Sequence, residues 1–97
     1  MKAIFITYNQ SHTDKVQFIL DRNNVRGFSK WEAMQGRGSK DGEPHYGSHT
    51  WPAVNSSVLT IVEDEKVTKI LDQLHKIDLD APEHGLRAFV WNIEQVL

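Results

Sequence analysis

Three side chains in one polar stretch could hold a metal ion. Glu43, His45 and His49 would offer a carboxylate and two imidazoles to zinc or copper. Pro44 and Gly47 lie among them and exclude a helix, so the spacing of the histidines does not place them on one face. Histidines in polar loops are common and usually idle, and the set alone does not decide. A second group suits an anion. Gly36-Arg37-Gly38 could turn backbone N–H groups toward a phosphate, and the guanidinium of Arg87 could pair with it. Each has an ordinary reading beside it, a glycine turn and a surface arginine. Catalysis finds less support. No serine or threonine has an evident base, and Glu63-Asp64-Glu65 reads as helix capping rather than an acid pair. The expectation is a protein that is not an enzyme. His12 and His84 read as an early-helix residue and a loop residue.

Elements must position these groups, and the chain shows six. Lys2 to Tyr8 places Ala3, Phe5 and Thr7 on one side and Ile4, Ile6 and Tyr8 on the other, a strand. Ser11 with Asp14 three residues on resembles a capping box, so a helix should begin near His12. Val16, Ile19, Leu20 and Asn23 share one face of it, and Asn23-Asn24 should end it. A second strand runs from Val25 to about Gln35, with imperfect alternation that predicts a bulge near Lys30 to Trp31. Gly36 to Pro52 is polar and rich in glycine, long for a connection inside a small domain, and such loops are usually functional or disordered. Ser57 to Val62 is a third strand. Asp64 is the expected cap of a second helix, along which Val67, Ile70, Leu71, Leu74 and Ile77 form the clearest stripe in the chain. After the loop Asp80 to Gly85, Leu86 to Ile93 is a fourth strand.

The order β-α-β-β-α-β predicts an α+β, ferredoxin-like domain spanning 1–97, with two helices on one face of an antiparallel sheet and the long loop between strands two and three. The other sheet face carries aromatic residues, and oligomerisation would bury it. Three tryptophans in 97 residues also point to an interface. A net charge of −2 disfavours a nucleic-acid binder. The absence of cysteine excludes disulfides, thiol catalysis and thiolate-bound zinc. No apolar run approaches the roughly 20 residues that cross a bilayer, and the first strand leaves no room for a cleavable leader. A cytoplasmic location without membrane insertion is expected.

Val25-Arg26-Gly27-Phe28-Ser29, then Gln35-Gly36-Arg37-Gly38-Ser39-Lys40-Asp41-Gly42, resembles the strand and loop opening of the PII nitrogen-regulatory proteins. Ser57 to Leu74, with Glu63-Asp64 at its junction, is similar to that family's third strand and second helix. Gly85-Leu86-Arg87-Ala88-Phe89-Val90-Trp91 resembles its last strand, with Arg87 where the family has a phosphate-binding lysine. The likeness covers nearly the whole chain. It implies a homotrimer that binds ATP, ADP or another anionic ligand between subunits, with Ser29, Gly36, Gly38, Gly85 and Arg87 as candidate ligand residues. The segment at about 36–52 would be a flexible T-loop that docks onto a partner through Arg37, Lys40, Tyr46 and Trp51.

The sequence departs from the better-known members in lacking a fuller glycine-rich phosphate loop before the last strand, a lysine before strand three and a basic stretch after strand four. Together with the run Gly42 to Pro52, this is more similar to a divergent PII-like group associated with heavy-metal efflux pumps of the resistance-nodulation-division type. The partner implied is therefore a membrane transporter. The alternative is direct binding of a divalent metal, by Glu43, His45 and His49 or in the manner of the trimeric CutA-type cation-tolerance proteins.

Overall fold

The computed structural model describes residues 1–37, 44–47 and 54–97. Strand β1 (Lys2–Asn9) passes through a 3-10 turn, Gln10–His12, into helix α1 (Thr13–Arg22). Strands β2 (Phe28–Met34) and β3 (Asn55–Val62) follow, then a 3-10 turn (Asp64–Lys66) and helix α2 (Val67–Asp80). A third turn, Pro82–His84, leads to strand β4 (Arg87–Asn92). The four strands form one antiparallel sheet in the order β2-β3-β1-β4, the expected ferredoxin-like arrangement.

Strand alternation sorts the side chains between two faces. Ile4, Ile6 and Tyr8 of β1 and Val58 and Val62 of β3 meet Val16, Ile19 and Leu20 of α1 and Ile70, Leu74 and Ile77 of α2 in one core. Burying each such aliphatic side chain contributes about 1.5–3 kcal/mol. Buried Asn23 joins the helices: its Nδ2 donates to the Ile19 carbonyl at 2.7 Å and to Gln73 Oε1 at 2.8 Å. Asn24 then takes a φ of 58°, the left-handed conformation expected of asparagine at a helix end.

Both helix starts differ from the capping expected of Ser11 and Asp64. The side chain of Asn9, not that of Ser11, is the cap; it accepts from the Ser11 amide at 2.9 Å. Asp64 makes no cap bond and pairs instead with the N-terminal amine at 3.0 Å, which holds its carboxyl below the ordinary range. The physical reason is the same at both sites. A 3-10 turn precedes each helix, and the Thr13 and Val67 amides donate to Gln10 and Asp64 carbonyls, satisfying donors that a side chain would otherwise cap. Val25 joins the core instead of starting β2, and the irregularity in that strand falls between Trp31 and Met34.

The opposite sheet face has no element over it among the described residues. Registers set out its rows across the sheet: Ser29-Leu59-Phe5-Phe89, then Trp31-Ser57-Thr7-Arg87, and Ile61-Ala3-Trp91. Phe5 and Trp31 pack edge to face with ring centroids 6.3 Å apart. Phe89, Trp31 and Trp91 are nonetheless 53%, 48% and 47% exposed. Among the described residues no helix is long and apolar enough to cross a membrane.

Candidate functional site

The long connection is built on an ordered stem. The amide of Gly36 donates to the His45 carbonyl at 3.0 Å, and the His45 amide returns a bond to Gly36 at 2.7 Å. Tyr46 bridges to Val54, and Gln35 Nε2 donates to the Tyr46 carbonyl at 3.1 Å. Behind this stem His45 is buried, its Nδ1 2.6 Å from Asn55 Oδ1. Gly36 is the residue that lets these groups close up, because a Cβ there would lie 2.7 Å from Asn55 Nδ2. Gly36→Ala must displace the Asn55 amide group, whose Oδ1 pairs with His45, and so loosens that bond. We expect the stem to lose about 1–3 kcal/mol, the cost of an unpaired buried polar group. Hydrogen exchange at the Gly36 and His45 amides should then accelerate by roughly one to two orders of magnitude, with the core amides of β1 unchanged.

Of the candidate docking residues, Arg37 and Tyr46 are exposed at the stem. Gly38, Lys40, Glu43, His49 and Trp51 lie outside the described residues. Among the described residues no group of three or more metal-ligating side chains converges. A metal site on Glu43, His45 and His49 would have to use Nε2 of His45, since Nδ1 faces Asn55.

Ser29 and Arg87 lie at opposite margins of the uncovered sheet face. Ser29 is exposed on β2, beside a shallow depression of about 350 Å³ formed with Phe28, Leu59 and Ile61. Arg87 opens β4, the other edge strand. Its backbone is in register with Thr7, and its guanidinium folds around the edge. There Nη1 donates to the Leu86 carbonyl at 2.7 Å and lies 3.6 Å from Asp78 Oδ1. Gly85 adopts φ 66° and ψ 35°, left-handed geometry that ends the Pro82–His84 turn and aims the chain into β4. Three strand spacings separate β2 from β4, about 14 Å. Ser29 and Arg87 of one chain therefore cannot grip the same small ligand.

The structure also joins residues that local pattern does not connect. His12 Nε2 and His84 Nδ1 are 2.7 Å apart although 72 positions separate them. Asn55, which pairs with His45, carries no motif in the sequence. Only the folded chain supplies either contact.

The family model for nitrogen regulatory protein P-II matches residues 1–97. A search among curated proteins gives no match. Among solved structures the chain is similar to CPII, a nitrogen regulatory PII-like protein from Thiomonas intermedia K12 bound to ADP, AMP and bicarbonate. That match has a TM-score of 0.78 and 20% identity, covering 95% of this chain and 84% of the other. The apo form of the same protein matches at TM-score 0.72 and 20% identity, with coverage of 95% and 87%. A PII-like signaling protein from Thermus thermophilus matches at TM-score 0.68 and 23% identity, with coverage of 95% and 85%. At such identities the structures speak for the fold alone, whereas the family match runs the full length. With its antiparallel sheet, its two helices and its long β2–β3 connection, this chain belongs to the PII family of nitrogen regulatory proteins.

Proposed function

We propose that this chain is a cytoplasmic, non-enzymatic regulator that works as a homotrimer, senses a small anionic ligand between subunits and docks its loop Gln35 to Trp51 onto a partner. PII proteins are generally non-enzymatic signalling proteins and typically trimers, which supports the reading. The observation that carries it is the uncovered aromatic sheet face with Ser29 and Arg87 at opposite margins. An apolar face of this kind is stabilised by burial against another copy. The same contact would bring the β4 edge of one chain toward the β2 edge of the next. Ser29, Gly36 and Gly38 of one subunit would then meet Gly85 and Arg87 of another, completing a cleft that one chain cannot form.

Adenine nucleotides and bicarbonate are the first ligands to test, because the Thiomonas protein is described with ADP, AMP and bicarbonate. Ligand binding would order the loop in one arrangement or another and so bias its docking. The partner we favour is a heavy-metal efflux transporter.

Sedimentation at micromolar concentration should show a trimer, and titration calorimetry should show binding of ADP, AMP or bicarbonate. A single monomeric species would remove the inter-subunit cleft. Binding of zinc or copper in place of these anions would favour the direct metal reading on Glu43, His45 and His49. Deleting 36–51 should abolish partner capture while leaving the trimer intact.

A further inference from the structure

His12 belongs to the turn between β1 and α1, and His84 to the turn before β4. His12 is 6% exposed, and its Nε2 lies 2.7 Å from His84 Nδ1, with the ring centroids 4.8 Å apart. At that distance one nitrogen donates and the other accepts. The pair can hold the bond as two neutral rings or with one extra proton. It cannot hold it with both facing nitrogens protonated, because two donors then oppose each other.

The contact joins two otherwise separate segments. Beyond His84 come Gly85, in its left-handed turn, and Arg87. The bond to His12 is therefore a tie between the Pro82–Leu86 segment and the start of α1. We propose that the His12–His84 pair is a proton-operated latch, closed near neutral pH and opened in mild acid, which frees the segment leading into β4.

The surroundings set the direction. Burial holds the His12 imidazole below its ordinary range; the charges of His84 and Lys15 act the same way, and Glu83 opposes them. Tyr8 of β1 stays neutral, since burial raises its phenol. A histidine whose folded value lies below its unfolded value stabilises the fold fully above the unfolded value, about 6.5. That contribution is lost as pH falls from there through the lower folded value. The latch should thus weaken on the acid side and stay shut at alkaline pH.

Amide exchange on the intact chain at about pH 7.5 and about pH 5, on either side of the ordinary imidazole range, tests this. After correction for intrinsic rates, protection of the His84 and Gly85 amides, which donate to the Ala81 and Pro82 carbonyls, should fall about tenfold in acid, the equivalent of one lost hydrogen bond. His84→Gln keeps an uncharged hydrogen-bonding side chain at a half-buried position, removes the second imidazole, and should show a clearly smaller fall. The exposed control His75→Gln should behave as the wild type. Protection that is the same at both pH values in the wild type, or the same fall in His84→Gln, would overturn the latch.

Discussion

Replacing Phe89 by aspartate should leave the chain folded and turn the proposed trimer into monomers. Phe89 is 53% exposed on β4 and lies in the row Ser29-Leu59-Phe5-Phe89, on the face away from the helices. The single chain therefore buries little of it, and its loss costs the monomer little. In an assembly that covers this face, the new carboxylate would be desolvated beside the aromatic rings of Phe5 and Trp91. Such burial costs several kcal/mol per subunit contact, enough to shift a micromolar assembly to its monomers. Sedimentation velocity would read the change, and circular dichroism would show that the fold survives. Phe18→Asp is the matched control: Phe18 is 63% exposed on α1, outside the uncovered sheet face, and the trimer should persist. A Phe89→Asp chain that still sediments as a trimer would mean that a different surface assembles it.

The second large effect is expected at Arg87. In the single chain its side chain is 44% exposed, and its guanidinium makes one hydrogen bond to the Leu86 carbonyl and a long ion pair with Asp78 at 3.6 Å. A partly exposed pair of this kind contributes about 0–1 kcal/mol to stability. Arg87→Ala should lower the melting temperature by more than the loss of an exposed pair would, because it leaves Asp78 Oδ1, which is buried with no hydrogen-bond partner among the described residues, without its cation. A guanidinium bonded to a bound phosphate contributes more, about 1.5–3 kcal/mol for a charge-assisted hydrogen bond. On the proposed reading, ADP binding by calorimetry should weaken roughly ten- to hundredfold in Arg87→Ala, with the proposed trimer preserved. Arg87→Lys should recover part of that loss, because it restores the charge but not the planar fork. Equal ADP affinity in wild type and Arg87→Ala would remove this residue from the ligand cleft. The two experiments read different things: Phe89→Asp tests whether the cleft is assembled, and Arg87→Ala tests what holds a ligand inside it.

Several features were legible from residue order alone. The stripes Val16-Ile19-Leu20 and Ile70-Leu74-Ile77 name the buried helix faces, because a 3.6-residue period and a single core leave no other choice. The alternation in β1 separates Ile4-Ile6-Tyr8 from Ala3-Phe5-Thr7, and the sheet keeps that division. The end of α1 at Asn23-Asn24 follows from asparagine's tolerance of positive φ. The helix starts were less legible. A Ser-x-x-Asp pattern matches a capping box, but it does not reveal that a 3-10 turn will satisfy the same amides.

The long connection with its Gly-x-Gly opening was visible as composition: a polar, glycine-rich stretch between two strands cannot form a core of its own. What residue order could not show is that Gly36 yields space to Asn55, that His45 is a buried member of the stem, or that His12 meets His84. These contacts join positions 10 to 72 apart in the chain. Local periodicity reports which face a side chain takes; a cross-chain distance depends on how the elements pack. Residue order carries the elements, their succession and the polar β2–β3 connection. Tertiary structure alone decided which residues close its stem and that Ser29 and Arg87 lie three strands apart. The physical reason is that strand pairing sets lateral spacing, and no pattern along one strand encodes how far away its neighbours' neighbours will be.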